Sequence, residues 1–209
     1  MEPTLTQRGL DRAVRALATS DPTLGASVER FGPPPLWARK PTYATLVHLI
    51  LEQQVSLASA QAAFDRLRAA LGEVTPTGVL GLDDKQMRAV GFSRQKAGYA
   101  RELAGAMLGG FDLDGLTALP DDGVRDALMQ HRGIGRWTAD IYLMMCLLRP
   151  DVWPRGDLAL RTAAAEVAGS PKPTDAELAQ TAERWRPHRA VAARILWHHY
   201  LRVRGQPTD

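Results

Sequence analysis

"HRGIGRWTAD", residues 131–140, sets two glycines around Ile134, flanks them with Arg132 and Arg136, and then opens a new apolar run. Upstream, in "LPDDGVRDALMQ" (119–130), Asp121 or Asp122 supplies a helix cap, and Val124, Ala127 and Leu128 share one helical face. Downstream, Trp137, Ile141 and Leu148 fall on one stripe. Residues 121–148 therefore read as helix, tight turn, helix. Gly133 and Gly135 permit backbone angles that a side chain would forbid, and they let the main chain approach a ligand closely. Such a turn presents N–H groups at a helix N-terminus, where the dipole favours an anion. Ile134 plugs the gap between the two helices. A bare G-x-G is also an ordinary way to reverse a chain. The flanking arginines are what point this one towards phosphate.

Working outward, almost every segment repeats with helical period. Leu10, Val14 and Leu17 form one stripe, and Asp21 caps a second helix with Pro22 at its first position. After the Pro-rich connector "FGPPPLWARKP" (31–41) comes "TYATLVHLILEQQ" (42–54), with Leu46, Leu49 and Ile50 aligned. In "SLASAQAAFDRLRAALG" (56–72), Leu57, Phe64, Leu67 and Leu71 read as inward-facing, with Gly72 as the stop. "DDKQMRAVGFSRQKAGYARELA" (83–104) echoes the hairpin without its G-x-G, and "HRAVAARILWHHYLR" (188–202) closes the chain's helices. No alternating run is long enough to build a sheet. The fold class is all-α, about ten short helices.

The 209 residues suffice for one domain or two small lobes. Mean hydropathy is −0.21, and no apolar run approaches the ~18 residues of a membrane span. "MEPTLTQRGLDR" lacks the apolar stretch of a secretion signal, which favours a cytoplasmic location. One cysteine, Cys146, lies within "IYLMMCLL"; it excludes an intramolecular disulfide and a four-cysteine zinc or iron–sulfur site, and it reads as core. The five histidines show no metal-ligand spacing. Net charge is only +3, but residues 1–124 carry 13 basic and 14 acidic groups against 13 and 9 in 125–209. Nearly all the basic groups of that second part are arginine, the side chain suited to bidentate phosphate contacts.

"LMQHRGIGRWTAD" resembles the helix-hairpin-helix of the DNA glycosylase superfamily named for that hairpin and for a following Gly/Pro-rich loop with an aspartate. "LLRPDVWPRGDLAL" (147–160) is similar to that loop, and Asp157 lies 22 residues past Gly135. "LILEQQVSLASA" resembles the helix and loop that carry the residue filling the hole left by a flipped nucleotide. "GFSRQKAGYARELA" resembles a second marker, G-x-S-x-x-K-A-x-Y. "AERWRPHRAVAARILWHHY" is similar to the closing helix of the alkylation-repair branch, the 3-methyladenine DNA glycosylase II type. The resemblance covers roughly residues 20 to 202 in separate, correctly ordered blocks.

The resemblance implies two lobes with the active-site cleft between them, residues 1–35 packing on a 36–209 core without a separate β domain. It implies a monomer that acts on double-stranded DNA, associates with the nucleoid when bound, and hydrolyses the N-glycosidic bond of alkylated bases. Asp157 becomes the catalytic carboxylate, although its position alone also fits a helix cap; Asp151 falls too early in the loop. Trp137 stands where lyase-active relatives carry a lysine nucleophile, so a monofunctional enzyme is implied. Trp137 and Trp197 become aromatic walls of a pocket for cationic bases, with Ile141 in place of a tyrosine and Gln53 at the mouth. Gln54 becomes the wedge. Arg132, Gly133, Ile134, Gly135 and Arg136 become the phosphate grip, with a Na⁺ or K⁺ on the backbone carbonyls of 131–136 and no other cofactor. Trp37, Trp153 and Trp185 read as packing, and His48 as structural. Two other readings share these residues: a non-catalytic helix-hairpin-helix DNA-binding module, and a glycosylase for oxidised or mismatched bases.

Overall fold

The computed structural model describes residues 4–208. Twelve α-helices account for most of them, with no β-strand among the described residues. In order these are α1 (Gln7–Ser20), α2 (Pro22–Phe31), α3 (Tyr43–Glu52), α4 (Leu57–Leu71), α5 (Pro76–Gly81) and α6 (Asp84–Ala89). There follow α7 (Arg94–Leu108), α8 (Asp121–Met129), α9 (Arg136–Met145), α10 (Leu158–Ala168), α11 (Asp175–Ala182) and α12 (Arg189–Val203). Short 3-10 turns occupy Gly115–Ala118 and Glu183–Trp185. Helix α5 escapes the apolar pattern because it has six residues, two of them glycine; its legible signal is Thr75 as cap with Pro76 behind it.

Polar caps fix where most helices begin. Thr6, Asp21, Thr42, Ser56 and Ser93 each accept a backbone N–H of the following turn. Asp83 with Gln86 and Thr174 with Glu177 form reciprocal capping boxes. At α8 the expected cap is corrected: the capping position is Pro120, with no side-chain hydrogen bond, and Asp121 and Asp122 lie within the first turn. There both carboxylates lie at the positive end of the helix dipole, and Asp122 accepts from Arg125 at 2.8 Å.

The chain divides into two units, Met1–Ala38 with Leu143–Asp209, and Arg39–Tyr142, so the change falls within α9. Within the first unit, α1 and α2 pack on α12. In the second unit, Leu46, Leu49 and Ile50 of α3 are fully buried, each worth about 1.5–3 kcal/mol of apolar burial. Alanines 97, 100 and 104 of α7 are buried, and Tyr43 of α3 donates its hydroxyl to the Ala100 carbonyl at 2.9 Å. Helix α4 buries Ala60, Ala63 and Leu67, whereas Leu57 is 53% exposed. Leu57 is the first residue after the Ser56 cap, ahead of the buried Ala60–Ala63–Leu67 face, and its inward assignment is corrected.

In the first unit α12 is central, and every residue from Ala190 to Leu196 is buried. Arg194 is among them and donates to the carbonyls of Leu36, Ala190 and Met144 at 3.0, 2.9 and 2.6 Å. Burial among uncharged acceptors pulls its pKa down to about 10. Leu148, expected on the Trp137–Ile141 stripe, lies past the end of α9 with φ +54°. Pro150 disfavours helix in the residue before it, so the chain turns out there.

Candidate nucleic-acid interface and active site

The hairpin turn joins α8 to α9 within the second unit. Its backbone closes through Ile134 N–H to His131 O at 3.1 Å and Ala139 N–H to Gly135 O at 3.0 Å. Ile134 is buried as expected. The two glycines do different work. Gly133 has φ +85°, and a Cβ there would overlap the ring of Tyr99. Gly135 has no left-handed φ, and a Cβ would meet no described atom within 4 Å. Gly133 is thus required by the fold, and Gly135 leaves an open approach to the backbone.

The two flanking arginines also differ. The Arg132 guanidinium is 80% exposed and 3.8 Å from Glu102, whose carboxylate accepts the Arg132 backbone N–H at 3.0 Å. That N–H is therefore already matched to an anion, which narrows the expected phosphate grip there to the side chain. Arg136 is half exposed and donates to Asp140 at 3.1 Å. Asp140 is fully buried and also accepts from Arg125 at 2.7 Å. Burial pushes the Asp140 carboxyl up while Arg125 and Arg136 pull against that shift. With Arg125 answering Asp140 inside, Arg136 is held in place and keeps its charge at the surface.

Much of the arginine excess of 125–209 is engaged within the chain. Arg184 pairs with Asp21, Arg189 with Asp151 and Glu183, and Arg204 with Glu166, while Arg194 is core. Asp151 accepts both Nε and Nη2 of Arg189, at 3.0 and 3.1 Å. It is an internal strut of its loop. The charge count alone overstated the surface available to DNA.

Gln54 follows the end of α3, exposed and left-handed at φ +58°. Val55 and Leu57 beside it are 45% and 53% exposed, so the loop presents one amide among apolar groups. Gln53 is half-buried and donates its side-chain amide to Gly133 O at 2.7 Å and to Thr138 Oγ1 at 3.0 Å. Both amide hydrogens are spent on the hairpin, so Gln53 has only its carbonyl oxygen left with which to read a base. Lys96 donates to the carbonyls of Leu51 and Gln53, both at 2.8 Å, and its burial lowers its pKa. Sequence reasoning missed Lys96, Tyr99, Glu102 and Asp140 as functional neighbours of the turn. Two of them stand in the quoted G-x-S-x-x-K-A-x-Y marker.

In the first unit, Asp157 caps α10 and accepts the Leu160 N–H at 2.9 Å. Gly156 before it has φ +81° and donates its N–H to Asp175, which also pairs with Arg155 at 3.3 Å. The carboxylate is half-buried and held at the N-terminus of α10. Leu158 next to it is 63% exposed.

Trp137 on α9 and Trp197 on α12 are each half-buried. Ile141 is buried, as is Tyr142. Trp153 and Trp185 are core, their ring centroids 5.5 Å apart. His48 stacks on Phe64 at 4.5 Å, and Cys146 is buried. Among the described residues no group of three His, Cys, Asp or Glu side chains is placed to hold a metal.

Residues 47–187 match the model of the HhH-GPD superfamily base excision DNA repair proteins. A DNA-3-methyladenine glycosylase 1 from Schizosaccharomyces pombe is 31% identical over 165 residues, 76% of this chain and 72% of that protein. The solved structure of the S. pombe 3-methyladenine DNA glycosylase in complex with abasic DNA superposes with a TM-score of 0.82 at 29% identity, covering 89% of this chain and 95% of that one. A DNA-3-methyladenine glycosidase from Bacillus halodurans gives 0.72 at 26% identity, covering 94% and 93%. The helical hairpin, its paired glycines and the aspartate that caps α10 are carried by a chain that belongs to the HhH-GPD superfamily of base excision DNA repair proteins.

Proposed function

We infer that this protein is a monofunctional DNA glycosylase that hydrolyses the N-glycosidic bond of flipped-out alkylated bases, 3-methyladenine and 7-methylguanine among them, and leaves an abasic site. The observation that carries this reading is Asp157, an aspartate fixed by the Leu160 N–H at the start of α10. As the base departs, positive charge builds on the deoxyribose. A held carboxylate stabilises that charge and orients the attacking water without reorganising at the moment of reaction. The relatives' names support alkylated bases as the substrate class.

Each remaining part has a physical task. Arg132, Arg136 and the open face at Gly135 hold the phosphate backbone. Gln54, already left-handed and exposed, fills the hole in the duplex. The indoles of Trp137 and Trp197 favour a cationic base through stacking and cation–π attraction. Indole has no basic nitrogen, so position 137 cannot form a Schiff base with the sugar. A monovalent cation would rest on the backbone carbonyls of residues 131–136. Those oxygens are uncharged, and His131, Gly133 and Gly135 each already accept one hydrogen bond, which suits a weakly held Na⁺ or K⁺ rather than a chelated divalent ion.

Mass spectrometry of bases released from dimethyl-sulfate-treated duplex DNA tests the reading. Release of methylated purines with no strand cleavage is expected. Tight binding to DNA with no base released would overturn it in favour of a non-catalytic binding module.

A further inference from the structure

The loop that carries Gln54 and the hairpin that faces phosphate are tied together by a short chain of hydrogen bonds inside the second unit. Lys96, on the first turn of α7, donates to Leu51 O and Gln53 O, two carbonyls that the end of α3 leaves without helical partners. Gln53 then donates to Gly133 O and Thr138 Oγ1, one in the turn and one on α9. Tyr99, one turn along α7 from Lys96, lies over Gly133. Helix α7 thus holds both ends. Gln54 leaves this clamp at φ +58°, a conformation that costs a non-glycine residue about 1–2 kcal/mol and persists only where neighbours impose it.

We propose that Lys96 and Gln53 are positioning residues that hold the wedge Gln54 in register with the phosphate-gripping turn, so that gripping the backbone and filling the flipped-out hole happen as one event. This rests on the wedge and phosphate roles given above. An ammonium on two carbonyls is a charge-assisted clamp, stronger than the neutral cap a helix end ordinarily has. Its purpose is geometric, since the ammonium and the amide both spend hydrogens on acceptors of the clamp itself. The clamp also occupies the Lys96 amine, which a lyase would need free.

The test compares Lys96→Met and Gln53→Met with Lys96→Arg, which keeps a charged donor. Affinity is measured for two duplexes, one undamaged and one with a tetrahydrofuran abasic analogue, and flipping is read from 2-aminopurine placed beside the analogue. For the two Met variants the preference for the abasic duplex should fall about tenfold, the loss of one charge-assisted or buried hydrogen bond. Affinity for undamaged duplex should change less than about threefold. The fluorescence rise should shrink, and Lys96→Arg should restore most of it. Unchanged preference and fluorescence in a folded Gln53→Met would overturn the proposal, as would equal loss on both duplexes. Should Lys96→Met fail to fold, Gln53→Met decides alone, because it leaves the ammonium clamp intact. None of these readouts needs base release, so a wild type that releases no base would sink the glycosylase reading and leave this result standing.

Discussion

The ring of Tyr99 fills the space where a side chain on Gly133 would stand. Because Gly133 is also at φ +85°, two independent penalties oppose any substitution there. Left-handed strain costs about 1–2 kcal/mol and displacing a packed ring another 1–3. Gly133→Ala should therefore lower the melting temperature by several degrees, while Gly135→Ala, with open space at its Cβ, should shift it by no more than a surface change does. Equal shifts in the two variants, measured by circular dichroism, would mean the glycines are interchangeable and the turn is not built as described.

The same asymmetry separates folding from DNA binding. Gly135→Asp should fold, yet place a carboxylate where phosphate is to approach. It should weaken binding to all duplex sequences alike and reduce the slope of log affinity against log salt by about one phosphate contact. A salt titration superimposable on that of the wild type would remove the phosphate role from this turn.

The helical period, the Asp21 cap and the hairpin were legible because they are local: Asp21 before Pro22 and Gly133-Ile134-Gly135 are signals a few residues long. Pairings over long sequence separations were not. The marker G-x-S-x-x-K-A-x-Y was visible as a string, but its reasons are three-dimensional. Gly91 is at φ +101°, Ser93 caps α7, Lys96 clamps carbonyls some 45 residues earlier, Ala97 is buried against its neighbours, and Tyr99 covers Gly133. The arginine count failed for a related reason. Composition cannot distinguish Arg189, locked on Asp151, from Arg136, held at the surface by Asp140.

Asp21 gives the first unit an acid-sensitive joint. It is 5% exposed and accepts from Thr23, from Trp185 Nε1 at 2.7 Å and from Arg184 at 2.8 Å. Burial works to raise its pKa, but the hydrogen bonds from Thr23 and Trp185 and the charge of Arg184 outweigh it and leave the value lowered. A folded pKa below the unfolded one, about 3.9, means the stabilisation is complete at neutral pH and is lost as pH falls through the folded value. Asp21→Ala should cost about 2–4 kcal/mol at pH 7, since it strands the buried Trp185 donor and removes the cap of α2. In urea unfolding followed by tryptophan fluorescence, the gap to the wild type should narrow at pH 3. A gap of the same size at both pH values would contradict the lowered pKa.

The capping of α10 by Asp157 and the catalytic role proposed for it can be pulled apart by two substitutions. Asparagine caps a helix about as well as aspartate, so Asp157→Asn should keep the fold, the α10 start and DNA affinity. It should still lose base release by at least ~100-fold, because the carboxylate facing a developing cation is a large electrostatic term. Asp157→Ala should lose the same activity and also about 1 kcal/mol of stability with the cap. Borohydride should trap no adduct between wild-type protein and DNA. An adduct would show that an amine such as Lys40 or Lys96 attacks the sugar. Asp157→Asn with near-normal turnover would return the residue to capping alone.

The tryptophans bear on which bases are chosen. If Trp137 and Trp197 read positive charge, cationic alkylated purines should be preferred to neutral lesions of similar shape. A cationic base is also the better leaving group, so some preference would arise with no aromatic wall at all, and only a mutant can separate the two causes. Trp137→Leu keeps an apolar surface on α9 and removes the π face. The loss should be about 0.5–2 kcal/mol of cation–π attraction. Single-turnover rates for 7-methylguanine and hypoxanthine in one duplex context should then show their ratio fall by roughly two- to thirtyfold. Trp197→Leu on α12 should act in the same direction. Because both indoles are half-buried rather than core, neither change should unfold the protein, and melting curves would verify that before the rates are compared. Ratios unchanged in both variants would assign the preference to the lability of the lesion itself, and the two indoles would then be packing residues.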